Sequence, residues 1–400
     1  MSTISSFRTL SLLMLSLIFI VPASNLSAQE DAPITVGKHF VVKSRILDQD
    51  RTVWLYLPDS YDRGDQAYPV LYMTDAEAQF FHFTGIVHFQ ARVNRMPEMI
   101  IVALTNIDRT HDLSSTPSAE DAQTFANAGG ADQFLRFISD ELIPYIEKNY
   151  RTQPYRIHVG HSLGGLFVGH SFLTDPNLFD AYVSISPAFW WNDNETIKRM
   201  DELLSGPPLE HEFFYLTVGN EPERMMKSAQ DMADVFARYP DQGVKFAYKI
   251  MENEDHGSIT HRTLYDALEL LYEGWQFRVP PELADQPSLQ LIDEYYANLS
   301  NRFGYTIPIP EDALNQLGYI ILGRGRIAEA IEVFEANASR HPKSANVYDS
   351  LGDGYTAAGQ LSEALDSYKK AVKLGRKTNH PAMAAFRANL ERTRRELKPQ

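Results

Sequence analysis

Arg156-Ile157-His158-Val159-Gly160-His161-Ser162-Leu163-Gly164-Gly165-Leu166-Phe167-Val168 is the stretch whose reading decides the fold. Its first residues are a short β-rich run, and Leu163 to Thr174 then place apolar residues at helical spacing. Between the two lies Gly160-His161-Ser162-Leu163-Gly164, a G-x-S-x-G motif in the strand–turn–helix context that this motif requires. A serine in such a turn sits at the carboxyl end of a strand, strained and exposed. Glycines on either side let strand and helix approach without a Cβ clash, and the Leu163 amide at the helix N-terminus faces a developing oxyanion. Ser162 is therefore the predicted nucleophile, and the alternative is a structural tight turn.

On both sides of this turn, strand candidates alternate with longer helical segments. The strands are Val53 to Leu57, Val70 to Thr74, Ile100 to Leu104, Arg156 to Gly160, Ala181 to Ile185, Phe213 to Val218 and Val244 to Met251. Ala131 to Asn149, Leu163 to Thr174, Glu223 to Arg238 and Thr260 to Phe277 carry the helical period. Runs such as Val70-Leu71-Tyr72-Met73 are apolar on both faces, which predicts a doubly wound, mostly parallel α/β sheet covered by helices on both sides.

A serine hydroxyl needs a base, and in such a sheet the chain order is serine, acid, histidine. His170 lies on the helix after the turn and His211 just before a strand, whereas His256 stands in the polar loop Glu252 to Ser258 after the last strand. His256 is the predicted base, with His261 as the alternative. The acid is sought in Gly219-Asn220-Glu221-Pro222-Glu223, after the strand that starts at Phe213. Glu221, nearer the strand end, is preferred to Glu223, although either could instead complement the dipole of the next helix. The second oxyanion donor should follow Val70 to Thr74, and the Ala76 amide is assigned to it beside that of Leu163. Asn106, Arg109 and Asp112 follow another strand on the same edge. Arg109 there could hold an acidic substrate group or form a loop-stabilising pair with Asp112.

Lys and Arg total 37 against 52 Asp and Glu, a net charge of −15, which opposes nucleic-acid binding. The chain has no cysteine, which excludes disulfides, thiolate metal sites and a cysteine nucleophile. Arg8, the apolar run Leu10 to Val21 and Leu26-Ser27-Ala28 make residues 1–28 read as a signal peptide. The expectation is an exported protein, periplasmic or secreted, that is not integral to the membrane after cleavage.

Past Val279-Pro280-Pro281 the alternating pattern stops, and after Ile307-Pro308-Ile309-Pro310 the sequence turns all-helical. Leu317-Gly318 recurs as Leu351-Gly352, Glu329-Ala330 as Glu363-Ala364 and Phe334 as Tyr368. Every one of these pairs is separated by the tetratricopeptide period. Pro342 holds the usual repeat-ending position, but its counterpart is Arg376. Two repeats are too few to stand alone, so they should lean on a helix over 289–303 or on a capping helix from Ala382 to Leu397. The expected division is a catalytic domain over 29–278, a linker with one helix over 279–310, and helical repeats with a cap over 311–400.

With those residues in hand, the chain resembles the esterases grouped with esterase D and the enterochelin (ferric siderophore) esterases. The resemblance covers roughly Lys38 to Phe277. It is carried by Pro69 to Asp75, by Asn106, Asp108-Arg109 and Asp112, by Gly160 to Gly165, by Gly219-Asn220-Glu221 and by Asp255-His256-Gly257-Ser258. Ala76 departs from the glycine that relatives often carry there. The resemblance implies an α/β-hydrolase fold, Ser162 as nucleophile, Glu221 as acid and His256 as base, with no metal and no cofactor. It also implies a small-molecule ester substrate, from siderophore lactones to simple acyl esters. The leading reading is a serine esterase working through an acyl-enzyme. Its rivals are an acyltransferase on the same residues and a non-catalytic scaffold whose repeats bind a protein or peptide partner.

Overall fold

The computed structural model describes residues 33–209, 213–283 and 286–398, so the signal-peptide segment 1–28 and His211 lie outside the described residues. Eight strands form one sheet: β1 (Lys38–Ser44), β2 (Gln49–Tyr56), β3 (Tyr68–Met73), β4 (Ile100–Leu104), β5 (Thr152–His161), β6 (Ala181–Ile185), β7 (Phe213–Gly219) and β8 (Lys245–Met251). Their order is β1-β2-β4-β3-β5-β6-β7-β8, with β1 and β2 antiparallel at one edge and the rest parallel. Every residue of β3, β4, β6 and β7 is buried, as a parallel strand covered on both faces must be. β1 was not anticipated, because Lys38, His39 and Lys43 dilute its apolar alternation and only its contact with β2 makes it a strand.

The helices in chain order are α1 (Ala76–Arg92), α2 (Arg109–Leu113), α3 (Asp121–Thr124), α4 (Ala131–Phe137), α5 (Ile143–Asn149), α6 (Leu163–Thr174), α7 (Trp191–Leu204), α8 (Glu223–Arg238) and α9 (Ile259–Leu271). A π-helical turn, Ile138–Leu142, joins α4 to α5 and makes them one continuous element, as the periodicity suggests. The predicted helix from Thr260 to Phe277 stops at Leu271, short of Gly274, whose φ of 75° is left-handed. Side chains alternate along the strands between two cores. Leu71, Met73, Ile157 and Val159 join α1 and α9 on one face, while Val70, Tyr72, Phe214 and Leu216 join α4 to α8 on the other.

Five tail helices follow α10 (Leu289–Phe303): α11 (Glu311–Gly323), α12 (Ile327–Arg340), α13 (Ala345–Ala357), α14 (Leu361–Thr378) and α15 (Met383–Glu396). Their all-α pairing rests on two close approaches, one in each helix pair. A Cβ on Gly318 would strike the Phe334 ring, and one on Gly352 would come within 2.5 Å of Tyr368 Cε1. Each aromatic ring thus fills the space that the glycine of the preceding helix leaves.

α10 lies between sheet and tail. Its Phe303 ring packs 5.1 Å from both Tyr155 and Tyr272, and its Tyr295 ring packs 5.2 Å from Phe277. On its other side Asp293 pairs with Arg340 at 2.8 Å. One apolar cluster therefore runs from the sheet through Ile292, Tyr296, Leu299 and Phe303 into the tail. Burying four such side chains contributes at most roughly 6–12 kcal/mol, comparable with the whole stability of a domain. Cutting the chain after Phe277 is thus expected to yield insoluble protein, whereas cutting after Ile309 leaves a folded one with a lowered melting temperature. Soluble yield and thermal midpoint of the two truncations check this.

Two histidines of β5 set an acid limit. His158 is buried on β5 with Phe179 stacked at 4.7 Å, and burial pushes its imidazole down to about 3. Burial, with His256 alongside, pushes His161 down to about 4. Both values lie below the ordinary 6.5, so the unfolded chain binds more protons. Their stabilisation is complete above about pH 6.5 and is lost as pH falls through about 4 and then 3. Urea midpoints should therefore decline below pH 6.5, each proton contributing up to about 1.4 kcal/mol per pH unit, and replacing His158 by an apolar residue should flatten that decline.

Candidate active site

Ser162 stands between the end of β5 and the first residue of α6, with φ 61° and ψ −115°. A side chain rarely adopts that conformation, which costs on the order of 1–3 kcal/mol and persists only when its surroundings hold it. Here the Ser162 N–H donates to the Ile185 carbonyl at 2.9 Å, and the Ala188 N–H donates to the Ser162 carbonyl at 3.2 Å. Gly160 is needed because any Cβ there would run into the backbone of Gly164. The turn thus projects the serine from the carboxyl edge of the sheet.

β7 and β8 end on the same edge. Glu221 follows β7, and its carboxylate accepts from His256 Nδ1 at 2.6 Å, from the Gly219 N–H at 3.0 Å and from the Ser186 hydroxyl. Burial alone would push this carboxyl up, but the bonds from His256, Ser186 and Gly219 outweigh it and hold it below the ordinary value. The Glu221 side chain is 2% exposed and that of His256 is 43% exposed, so the carboxylate is fixed beneath a ring that faces outward. The His161 ring lies 4.6 Å from that of His256. The other candidates sit elsewhere. Glu223 is exposed in the first turn of α8, His261 is exposed on α9 against His82, and His170 is buried on α6.

Ala76 opens α1 just as Leu163 opens α6, and the first amides of a helix have no carbonyl of their own to bond. Asp75, which precedes Ala76, is left-handed at φ 57° and ψ 44°. Its buried carboxylate accepts from Asn106 Nδ2 at 2.8 Å and from Arg109 Nε and Nη2 at 2.6 and 2.9 Å. Arg109 Nη2 also donates to the His161 carbonyl at 3.1 Å. Arg109 therefore pairs with Asp75 and ties the Ala76 loop to the serine turn, instead of pairing with Asp112. Asp112 points inward to Arg51, in a two-pronged pair at 2.6 and 3.0 Å that is buried on both sides. The short helix α2 sends Asp112 into the core and leaves Arg109 on the site edge.

Ser162, Leu163, Glu221, His256 and Arg109 line one cavity of about 460 Å³, walled by Phe125, Trp190 and Met225. Trp190 Nε1 donates to Met225 Sδ, and the Arg224 guanidinium lies 3.9 Å from the Trp190 ring. Ser186, Phe125, Trp190 and Arg224 were not anticipated from the sequence. Ser186 and Phe189-Trp190-Trp191 follow β6 on the carboxyl edge, where ligands bind in such sheets, so their position was a usable signal. Phe125 arrives through a loop that no pattern marks.

A family model described as "Putative esterase" matches residues 44–267, more than half of the chain. This chain belongs to that esterase family. It is 28% identical over 215 residues to the ferri-bacillibactin esterase BesA of Bacillus subtilis, covering 48% of this chain and 74% of that protein. The crystal structure of an IroE-like serine hydrolase from Shewanella oneidensis superposes with a TM-score of 0.65 at 26% identity, covering 76% of this chain and 99% of that one. An uncharacterised protein from Capnocytophaga ochracea matches at TM-score 0.65 and 15% identity over 88% of this chain and 99% of its own, a likeness of fold alone. The esterase has the fold and the ester-hydrolase class that its sequence implies. Its mostly parallel sheet carries the predicted α/β-hydrolase arrangement, followed by an all-α tail.

Proposed function

We propose that this esterase cleaves its ester through an acyl-enzyme, with Ser162 as nucleophile, His256 as base and Glu221 as the acid that orients it. The carrying observation is that a buried Glu221 carboxylate holds Nδ1 of His256 while His256 and the strained Ser162 face one cavity. With Nδ1–H donated to the carboxylate, Nε2 is left free to take the serine proton. As Ser162 Oγ bonds to the ester carbon, the carbonyl electrons move to oxygen, where the Leu163 and Ala76 amides receive the charge. Collapse expels the alcohol, which takes its proton from His256. Water then enters with the same base and releases the acid.

The cavity favours an acyl group with flat parts, since Phe125 and Trp190 offer rings in its wall, while the Arg109 charge there is already taken up by Asp75. A siderophore-type ester fits this description, and the relative from Bacillus subtilis is named for such a substrate. The leader-like segment 1–28 supports export to the periplasm or medium. Labelling with a fluorophosphonate tests the chemistry. The expected result is one adduct per chain on the peptide holding Ser162, and an adduct elsewhere or none at all refutes the assignment.

On this reading the Asp75–Arg109 pair is a positioning device that presents the Ala76 amide to the oxyanion. Asp75→Ala should lower kcat about 10- to 100-fold with KM nearly unchanged, because the lost interaction is made mainly in the transition state. A rise in KM at constant kcat would instead give the pair a substrate-binding role.

A further inference from the structure

The charge of this chain is unevenly placed. Residues 367–398 hold 10 Lys and Arg against 2 Asp and Glu, while the rest of the chain holds 27 against 50. The cationic stretch is the second half of α14 together with α15, the last pair of helices. On α14, Ala364, Ser367, Tyr368, Ala371, Val372 and Gly375 face inward, so Lys373, Arg376 and Lys377 fall on the outer side. On α15, Phe386, Leu390 and Thr393 face inward while Arg387 and Arg395 are exposed, as is Lys398 just past its end. Lys369 and Arg394 are neutralised by Asp366 and Glu391. Among the described residues none of the other six cations named here forms an ion pair. So many unpaired like charges repel one another, a standing cost that an anionic partner would relieve.

We propose that the outer face of α14 and α15 docks this esterase on an anionic phospholipid surface. Charge complementarity supplies the attraction, and the acidic remainder of the chain is repelled by the same surface, so only one end of the molecule can approach. Leu397, 40% exposed, follows Glu396 and is flanked beyond it by Arg395 on one side and by Lys398 on the other. An apolar side chain among long cationic ones suits a bilayer interface and has no counterpart to meet on a phosphate backbone. A second copy offers its acidic body, and such a contact between unlike faces builds a ring or a filament, which light scattering reads directly.

The attachment also sets orientation. α10 meets the sheet at Tyr155, near the start of β5, while Ser162 follows the end of that strand, about 23 Å farther along at roughly 3.3 Å per residue. The tail therefore joins the edge opposite the cavity, and docking through it leaves the cavity mouth clear.

Full-length protein is sedimented in low salt with vesicles in which phosphatidylcholine is mixed with a minor share of phosphatidylglycerol, and with vesicles of pure phosphatidylcholine. Binding to the first only is expected, weakening steeply as salt rises. The variant Lys373→Gln/Lys377→Gln/Arg395→Gln should lower partitioning about a hundred-fold, at about five-fold per cation. Its circular dichroism and its turnover of a small ester, with or without vesicles, should match the parent. Equal binding to both vesicles, or undiminished binding by the variant, overturns the proposal. So does self-association by light scattering that the variant abolishes, or a short DNA duplex that displaces the vesicles.

Discussion

Ser162→Ala is expected to give a soluble protein with the parent's melting temperature or a higher one, and with ester turnover reduced by about 10⁶-fold. The oxygen makes no structural bond that the fold needs, since the turn is held by the backbone through Ile185 and Ala188. His256→Ala should fall nearly as far, and the double variant no further, because in the proposed mechanism both residues serve one bond-making step and their losses do not add. The turnover left in each should still exceed the uncatalysed rate by about 10³-fold, from the helix-end amides and the cavity. Single-turnover rates with a p-nitrophenyl ester check all three. If losses in the double variant multiply, the two residues act in separate steps, and the acyl-enzyme reading fails.

The parts of this site that could be read in the chain are those whose chemistry forces a local pattern. A strand that must turn sharply into a helix around a serine leaves Gly160, Gly164 and Gly165 as its trace. A histidine on the next available edge loop leaves few places to stand, and His256 occupies one of them. Arg109 was legible as an edge residue, but its partner was not. Asp75 lies far back along the chain, on the other side of a helix, and only the parallel pairing of β3 with β4 brings the two loops together. Asp112 misled because it is near in sequence, yet a one-turn helix between strand and core sends the two residues opposite ways. Ser186 was invisible for a related reason. Its φ of 42° is a property of the loop after β6, and its bond to Glu221 joins the loops that follow two neighbouring strands.

The tail shows the same division. A ring opposite a glycine recurs because each helix pair repeats the same contact, so Gly318 with Phe334 and Gly352 with Tyr368 were legible. The repeats were expected to lean on the helix over 289–303, but the composition break at Val279 could not convey that this helix also packs on the sheet. α10 is apolar toward both sheet and tail, and its aromatic partners Tyr155 and Tyr272 belong to β5 and to the end of α9.

Glu221→Gln is expected to cost about 10⁴-fold in kcat while Glu223→Gln changes it by less than about two-fold. The amide keeps the shape of the carboxylate, so the fold should survive. What changes is the partner offered to Nδ1: an NH₂ group there can only donate, which drives the proton of His256 to Nε2 and removes the lone pair that must receive the Ser162 proton. The remaining bonds at this position make the effect larger than a simple loss of charge. Ser186 and the Gly219 N–H both donate to Oε1 of Glu221, so in the variant they hold the amide oxygen at that site and turn the NH₂ toward the ring. Ser186→Ala should therefore soften the defect of Glu221→Gln, since freeing one donor lets the amide rotate and present its oxygen to Nδ1. A pH profile of kcat/KM separates this from plain loss of a negative charge. With the wrong tautomer the whole curve drops at every pH, whereas a merely weakened base shifts the acidic limb of the curve along the pH axis without lowering its plateau. Equal losses in Glu221→Gln and Glu223→Gln would show that no single carboxylate is the acid, and a full loss in Glu223→Gln alone would move the role to the start of α8.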